Sequence, residues 1–348
     1  MQSKPIKFYN EDASAYDLIE TKVIDHAEIV VNFFDLCNMR CSFCTQDHDS
    51  ALGASQSEIL SKVPYIARYV ERNPSRHFLL HLMGGELFQD SLIEKGFMDY
   101  YAEFIDSLEA SCRSDADLQY NFITNLTFTR VREVLNFLDK YELKIAISYD
   151  PRARFSKEQF EIFKVNVEIF KPYIRMVSCV MTKQNMKAII EGDDYFDYLY
   201  DNFDIHWDHM LVGSEKLHMM MPTEVETKEF YIHLVDNYPN CMNMKQFFEK
   251  TKPQKMGCTR GNSFTLFADN SIPFGCSGSV VMKDVKTEDN WSSKIVHNFL
   301  DENMCLSCDY YQRCHLTCFV HNDYAKLVKD PQGCPYKQVF EYVENKKL

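Results

Sequence analysis

Three cysteines stand close together near the start of the chain, Cys37, Cys41 and Cys44 in the segment CNMRCSFC. The thiolate form of cysteine binds metals, and one short loop can wrap three of them around a single centre. Three ligands are one too few for a closed tetrahedral zinc site, which would need a fourth such as His48. In an iron–sulfur cluster the same deficit leaves one iron free to bind something other than protein. A second group lies toward the other end: Cys305, Cys308, Cys314 and Cys318, with Cys334 after them and Cys258 and Cys276 before them. The chain has 13 cysteines in 348 residues and no export signal, so metal binding or catalysis is a better explanation than disulfides. Two further segments carry reactive types: LMGGELF, with Gly84, Gly85 and Glu86, and HWDH, with His206 and Asp208.

These residues recur where apolar runs end. EIVVNFF, HFLLHLM, LQYNFIT, LKIAISY, IRMVSCVM and FDIHWDHML read as strands, with helix-like stretches between them, from position 28 to 212. Such alternation implies a parallel sheet, and six units imply an α/β fold closed as a partial or complete barrel. The helical stretches agree: Val131, Val134, Leu135 and Leu138 share one face, and Ser156 with Gln159 and Thr223 with Glu226 form capping boxes. Pro64 inside the first helical pattern predicts a kink or a split. From Gly257 the character changes. FTLFADNSIPFGC reads as a β-hairpin turning at Asp269, Asn270 and Ser271, and the rest suits a small domain held by metal. The expected divisions are an N-terminal arm (1–27), a barrel (28–240) and a cysteine-rich domain (241–348). Strand alternation sends His206 and Asp208 to one side and Trp207 and His209 to the other. His206 and Asp208 either transfer protons at a substrate or satisfy each other at a strand end. Asp47, His48 and Asp49 either approach a substrate or form a solvated loop.

Composition narrows the class. The 45% hydrophobic and 26% charged content is that of a globular protein. A net charge of -13 would repel a phosphate backbone, so nucleic acid is not the expected partner. The first residues lack the apolar core of a signal peptide, and IVVNFF is too short to span a membrane. No membrane association and a cytoplasmic location are expected.

The Cys-x3-Cys-x2-Cys triplet after a barrel strand, with Phe43 at the aromatic position, resembles the signature of the radical S-adenosylmethionine (SAM) superfamily. That resemblance implies a partial (β/α)6 TIM-like barrel whose open iron chelates SAM and cleaves it to a 5′-deoxyadenosyl radical. Gly84, Gly85 and Glu86 match the family's Gly-Gly-Glu motif, which binds the SAM amino group; glycine there is expected to let the backbone approach the ligand. Thr124, Asn125 and Ser148 resemble the Thr-Asn-Gly and Ser-x-Asp segments, with Ser148 assigned to the SAM ribose, although Leu126 replaces the usual glycine and Pro151 follows Asp150. Arg152, Arg154 and Arg175 read as surface arginines, with pairing to the SAM carboxylate as the alternative. The seven C-terminal cysteines resemble a SPASM domain, a small C-terminal cysteine-rich iron–sulfur unit. Ser271 replaces a glycine of that pattern, a place where Asn270 can supply the left-handed turn. The resemblance implies three 4Fe-4S clusters. One is SAM-binding; of the two auxiliary ones, Cys258, Cys276 and Cys318 serve the first and Cys305, Cys308, Cys314 and Cys334 the second. Cys112 and Cys179 read as buried apolar residues, whereas Cys241 either completes the first auxiliary cluster or does not.

The function so implied is a radical SAM oxidoreductase or maturase that modifies a ribosomally synthesised peptide by cross-linking, thioether formation, epimerisation or oxidation. The auxiliary clusters relay electrons, and a reductant such as flavodoxin or ferredoxin is needed. Anaerobic sulfatase maturation ranks lower, because that subgroup has Asp where this chain has Ser277; dehydrogenation of a small alcohol is a further option. Only 36 residues precede Cys37, so a leader peptide would be bound by the barrel, the arm or a separate leader-binding protein. The non-enzymatic alternative is an electron-transfer or structural metal protein.

Overall fold

The computed structural model describes residues 26–210, 215–248, 263–272, 300, 303–311, 313–315 and 330–346. They form a seven-stranded sheet in which every pairing is parallel. The strands are β1 (His26–Asn32), β2 (His77–Met83), β3 (Asp117–Thr124), β4 (Lys144–Ser148), β5 (Ile174–Met181), β6 (Ile205–His209) and β7 (Ser263–Leu266), in the order β6-β5-β4-β3-β2-β1-β7. Sequential parallel neighbours joined by right-handed crossovers place the helices on one face. The sheet must curl, because Glu28 on β1 is an electrostatic neighbour of His206 on β6. Five flat strand spacings would hold them about 24 Å apart.

Alternation divides the sheet into two faces. Ile29, Leu80, Phe122, Ile147, Cys179 and Trp207 are fully buried in the helix-covered core. Glu28, His81, Asn121, Ser178, His206 and Asp208 occupy the intervening positions and line the concave interior. The helices form where the sequence predicts them. Both capping boxes are present, starting helices Lys157–Phe170 and Glu224–Asn237. The Pro64 segment is split into helices Gln56–Leu60 and Val63–Arg72, with the proline in the first turn of the second, where its missing N–H costs nothing. Among the described residues no helix is long and apolar enough to cross a membrane.

The first run of the expected hairpin does more than fold back locally. As β7 it pairs with β1 and extends the barrel sheet. The turn is as expected: Asn270 has φ 61°, Phe267 N donates to Ser271 O at 3.0 Å, and Ser271 N donates to Asp269 Oδ1 at 3.0 Å. Pro273 and the residues after it in that hairpin lie outside the described residues. This turn is docked by Lys62, which is fully buried. Its ammonium donates to Phe267 O (2.9 Å), Ala268 O (3.2 Å) and Asn270 Oδ1 (3.2 Å). Burial brings its pKa down to about 8, with Asp269 and Glu58 acting the other way. Lys62→Met should therefore destabilise the chain by about 1–3 kcal/mol through loss of three donors to buried acceptors. Urea unfolding checks this, and an unchanged midpoint would mean that β7 is held without the lysine.

Candidate active site

Beyond β1 the chain keeps the β1–β2 ladder going before it turns into the cysteine loop. Phe33 N donates to Met83 O (2.8 Å), Gly85 N to Phe34 O (2.8 Å) and Glu86 N to Leu36 O (2.9 Å). This approach explains the glycines. A β-carbon on Gly85 would lie 2.0 Å from Leu36 O and 2.3 Å from Asp35 O, and one on Gly84 would meet Leu87 at 2.9 Å and Phe34 O at 3.0 Å. In this structure glycine at these two positions makes room for the loop's own backbone.

Glu86 is 1% exposed. Its carboxylate accepts from Phe88 N (2.9 Å), Thr124 Oγ1 (2.8 Å) and Asn125 N (2.6 Å), while burial, opposed by these bonds, raises its pKa. Asn125 Nδ2 donates to Asn38 Oδ1 at 2.8 Å, and Asn38 Nδ2 to Thr127 Oγ1 at 3.1 Å. Glu86, Thr124 and Asn125 thus clamp the ends of β2 and β3 to the cysteine loop. The turn they hold contains Leu126 at φ 58°, so leucine adopts the left-handed backbone that glycine ordinarily supplies.

Cys37, Cys41 and Cys44 lie on this loop, and Cys41 is buried. Burial, reinforced by Glu86, pushes the Cys37 thiol up to about 12; burial also raises Cys41 and Cys44. A thiolate here needs a compensating positive charge, which a metal centre supplies. The donor set fits an iron–sulfur cluster, whose thiolates sit on separate iron atoms. Among the described residues no three Cys, His, Asp or Glu side chains close around one ion position.

Arg154 acts electrostatically on all three thiols. It is no surface arginine: its side chain is 13% exposed and pairs at 2.7 Å with the fully buried Asp150. Burial works against its charge, but Asp150 and the nearby cysteines outweigh that and raise its pKa. Its guanidinium lies 5.4 Å from the centre of the Phe43 ring, which packs with Val180 against Met210, Leu217 and Met221. Arg152 instead pairs with Glu191 on the surface. Ser42 N donates to Ala153 O at 3.2 Å, joining the cysteine loop to the turn that carries Arg154. The signal available in the sequence was the Asp150–Arg154 spacing of four, which brings two side chains together on one turn of chain.

Ser148, Ser178 and His206 share one register row across β4, β5 and β6. Asp208 accepts from Ser178 Oγ, and its Oδ1 lies 3.2 Å from His206 Nδ1. Burial works to lower the His206 pKa, but Asp208 and Glu28 outweigh it and raise it. In Asp208 burial works upward, and His206 and Ser178 bring the pKa down. His206 and Asp208 keep 31% and 49% of their side-chain surface accessible, toward the concave interior. On the other side Trp207 is core, and His209 Nε2 meets Tyr336 Oη at 3.1 Å. Asp49 pairs with Arg40, and the His48 carbonyl accepts from Cys37 N at 3.2 Å.

Neither a protein-family model nor a curated protein matches the sequence. Solved structures do. The structure of anSMEcpe with bound AdoMet and the Kp18Cys peptide aligns with a TM-score of 0.65 at 17% identity, over 92% of this chain and 98% of that one. Streptococcus suis SuiB bound to precursor peptide SuiA aligns with a TM-score of 0.52 at 14% identity, over 88% and 75%. At these identities the likeness is one of fold. The fold is that of the radical SAM enzymes. It is a partial (β/α) barrel, with the cysteine loop, Gly-Gly-Glu and Arg154 all at the C-terminal ends of the strands, where parallel α/β sheets hold their ligands.

Beside the barrel, Cys334 immediately precedes helix Pro335–Lys346, and Cys314 and Cys334 pack at the margin of the core. Cys308 is an electrostatic neighbour of Cys334, and Cys305 and Cys314 both neighbour Tyr311. Cys258, Cys276 and Cys318, and also Ser277, lie outside the described residues. Cys241 is fully buried in the core, where it neighbours Cys179 and Trp207. Cys179 is buried as expected, and Cys112 packs at the core's margin.

Two measurements check this geometry. Gly85→Ala forces backbone apart where no side chain can yield, so it should destabilise by about 1–3 kcal/mol in denaturant unfolding; a silent substitution would mean the loop is not braced there. Asp208→Asn removes the partner that raises His206. Stability from that raised pKa is present below the unfolded value of about 6.5 and is lost as pH rises through the folded one. The variant should therefore lose stability at acid and neutral pH and titrate lower at His206 by NMR, and an unmoved titration would contradict the pairing.

Proposed function

We propose that the chain is a radical SAM enzyme whose substrate is a peptide. The observation that carries this reading is the set of three thiols on one loop, Cys41 buried and Cys37 and Cys44 half-buried, all faced by Arg154, at the strand ends above a polar barrel interior. Cys37, Cys41 and Cys44 would hold a 4Fe-4S cluster, which would supply the one-electron chemistry that cleaves the SAM sulfonium and so permits hydrogen abstraction from the substrate. The chain's own residues do the rest. Arg154 pairs with the SAM carboxylate, Ser148 meets the ribose, and Phe43 walls the site. Gly84 and Gly85 offer backbone to the amino group, while Glu86, Thr124 and Asn125 keep the loop in place.

The His206–Asp208 pair takes up the proton that leaves an oxidised substrate, since Asp208 stabilises the imidazolium that results. Cys305, Cys308, Cys314 and Cys334 would hold one auxiliary cluster and Cys258, Cys276 and Cys318 would contribute to another, which would supply electron-accepting centres. A small reductant such as flavodoxin or ferredoxin supplies the first electron. Peptides accompany two of the similar solved structures, which supports a peptide substrate here. An electron-transfer protein would have no use for a charged chamber beneath its metal loop.

Anaerobic reconstitution tests the reading: about twelve iron per chain are expected from three four-iron clusters. Dithionite and SAM should then yield 5′-deoxyadenosine. Replacing Cys37, Cys41 and Cys44 with Ala should leave about eight iron and abolish that product. Continued SAM cleavage by the triple variant would overturn the assignment.

A further inference from the structure

His81 on β2 and Asn121 on β3 stand opposite each other in the sheet register. Both belong to the inward rows, since their neighbours Leu80, Leu82, Tyr120 and Phe122 pack into the helix-covered core. Asn121 is fully buried, its Nδ2 lies 3.3 Å from His81 Nδ1, and its Oδ1 has no partner among the described residues. A buried amide with an unpaired oxygen is costly to keep, and among the described residues its side chain bonds to the His81 ring. The amide nitrogen can only donate. With the amide in this orientation His81 Nδ1 accepts, which puts the ring's proton on Nε2, the nitrogen left for a ligand.

The ring is also kept uncharged. Burial lowers its pKa; Glu28 and Asp208 act upward, and Arg175 and His26 act with the burial. A neutral N–H donor in this buried interior, with charges of both signs around it, suits an uncharged acceptor, because a carboxylate would have to give up its hydration there. We propose that His81 binds an uncharged carbonyl of the substrate through Nε2–H, and that Asn121 is the positioning residue that fixes this tautomer. The proposal rests on reading the barrel interior as the substrate chamber, and it narrows the substrate group held there to an amide, ketone or ester oxygen.

The test uses the full chain labelled with 15N at histidine, with His81 assigned by His81→Gln and its tautomer read from side-chain nitrogen shifts. The expected result is an Nε2–H tautomer. N-methylacetamide or acetone should shift that signal at about tenfold lower concentration than acetate, a difference of about 1.4 kcal/mol; whichever of the two binds better separates amide from ketone. Asn121→Asp, of the same size, has only acceptors at this point and should move a proton onto Nδ1, whereas an asparagine with a purely structural role would leave the tautomer unchanged. Asn121→Leu should leave a mixture. An Nδ1–H tautomer in the unaltered chain, an unmoved tautomer in Asn121→Asp, or acetate binding as well as the neutral carbonyls would overturn the proposal. SAM cleavage by the unaltered chain is scored separately: cleavage without carbonyl preference defeats this inference alone, and carbonyl preference without cleavage defeats the proposed activity alone.

Discussion

The buried carboxylate of Glu86 is the point on which the site depends. It ties Phe88 N, Thr124 Oγ1 and Asn125 N together, while its own backbone N–H holds Leu36 O. Three segments distant in sequence therefore meet at one residue: the end of β2, the end of β3 and the entry to the cysteine loop. An ionised carboxylate out of water is tolerable only with such donors. The contact is close enough that only glycine fits at position 85. The positions of Cys37, Cys41 and Cys44 follow from this brace, because the loop that carries them starts from it.

Charge is arranged in two tiers above and within the barrel. At the strand ends Arg154, neutralised on one side by Asp150, turns toward the three thiols and toward Phe43. Deeper inside, the His206–Asp208 pair and Glu28 sit against a ring that stays neutral at His81. Groups whose surroundings push their titrations in opposite directions mark a candidate site for proton transfer.

Much of this was legible in the sequence because it is local. Strand and helix periods, both capping boxes and the split at Pro64 depend on neighbours within a few residues. The loss of glycine at Leu126 and Ser271 pointed to two unusual turns, and both survive with a non-glycine residue in the left-handed region, Leu126 itself and Asn270 beside Ser271. What was not legible depends on contacts between distant segments. Burial of Arg154 is set by Asp150, itself held by Val180 N and Asn185 Nδ2. The pairing of β7 with β1 joins residues more than two hundred positions apart, and Lys62, an ordinary helix lysine by sequence, is drawn inside to cap that strand's turn. His81 and Asn121 meet through sheet register alone. Gly84 and Gly85 were rightly marked as tight positions, but what presses on them is the chain's own loop.

The claim that the braced loop presents an open iron to SAM can be tested without knowing the substrate. Electron–nuclear double resonance on the reduced, reconstituted chain with SAM labelled at its amino nitrogen and carboxylate oxygens reads contact between ligand and iron directly. Hyperfine coupling to both labels, lost on replacing Cys37, Cys41 and Cys44, is the result this account predicts. A reduced cluster signal at that loop that shows no coupling to either label would contradict it.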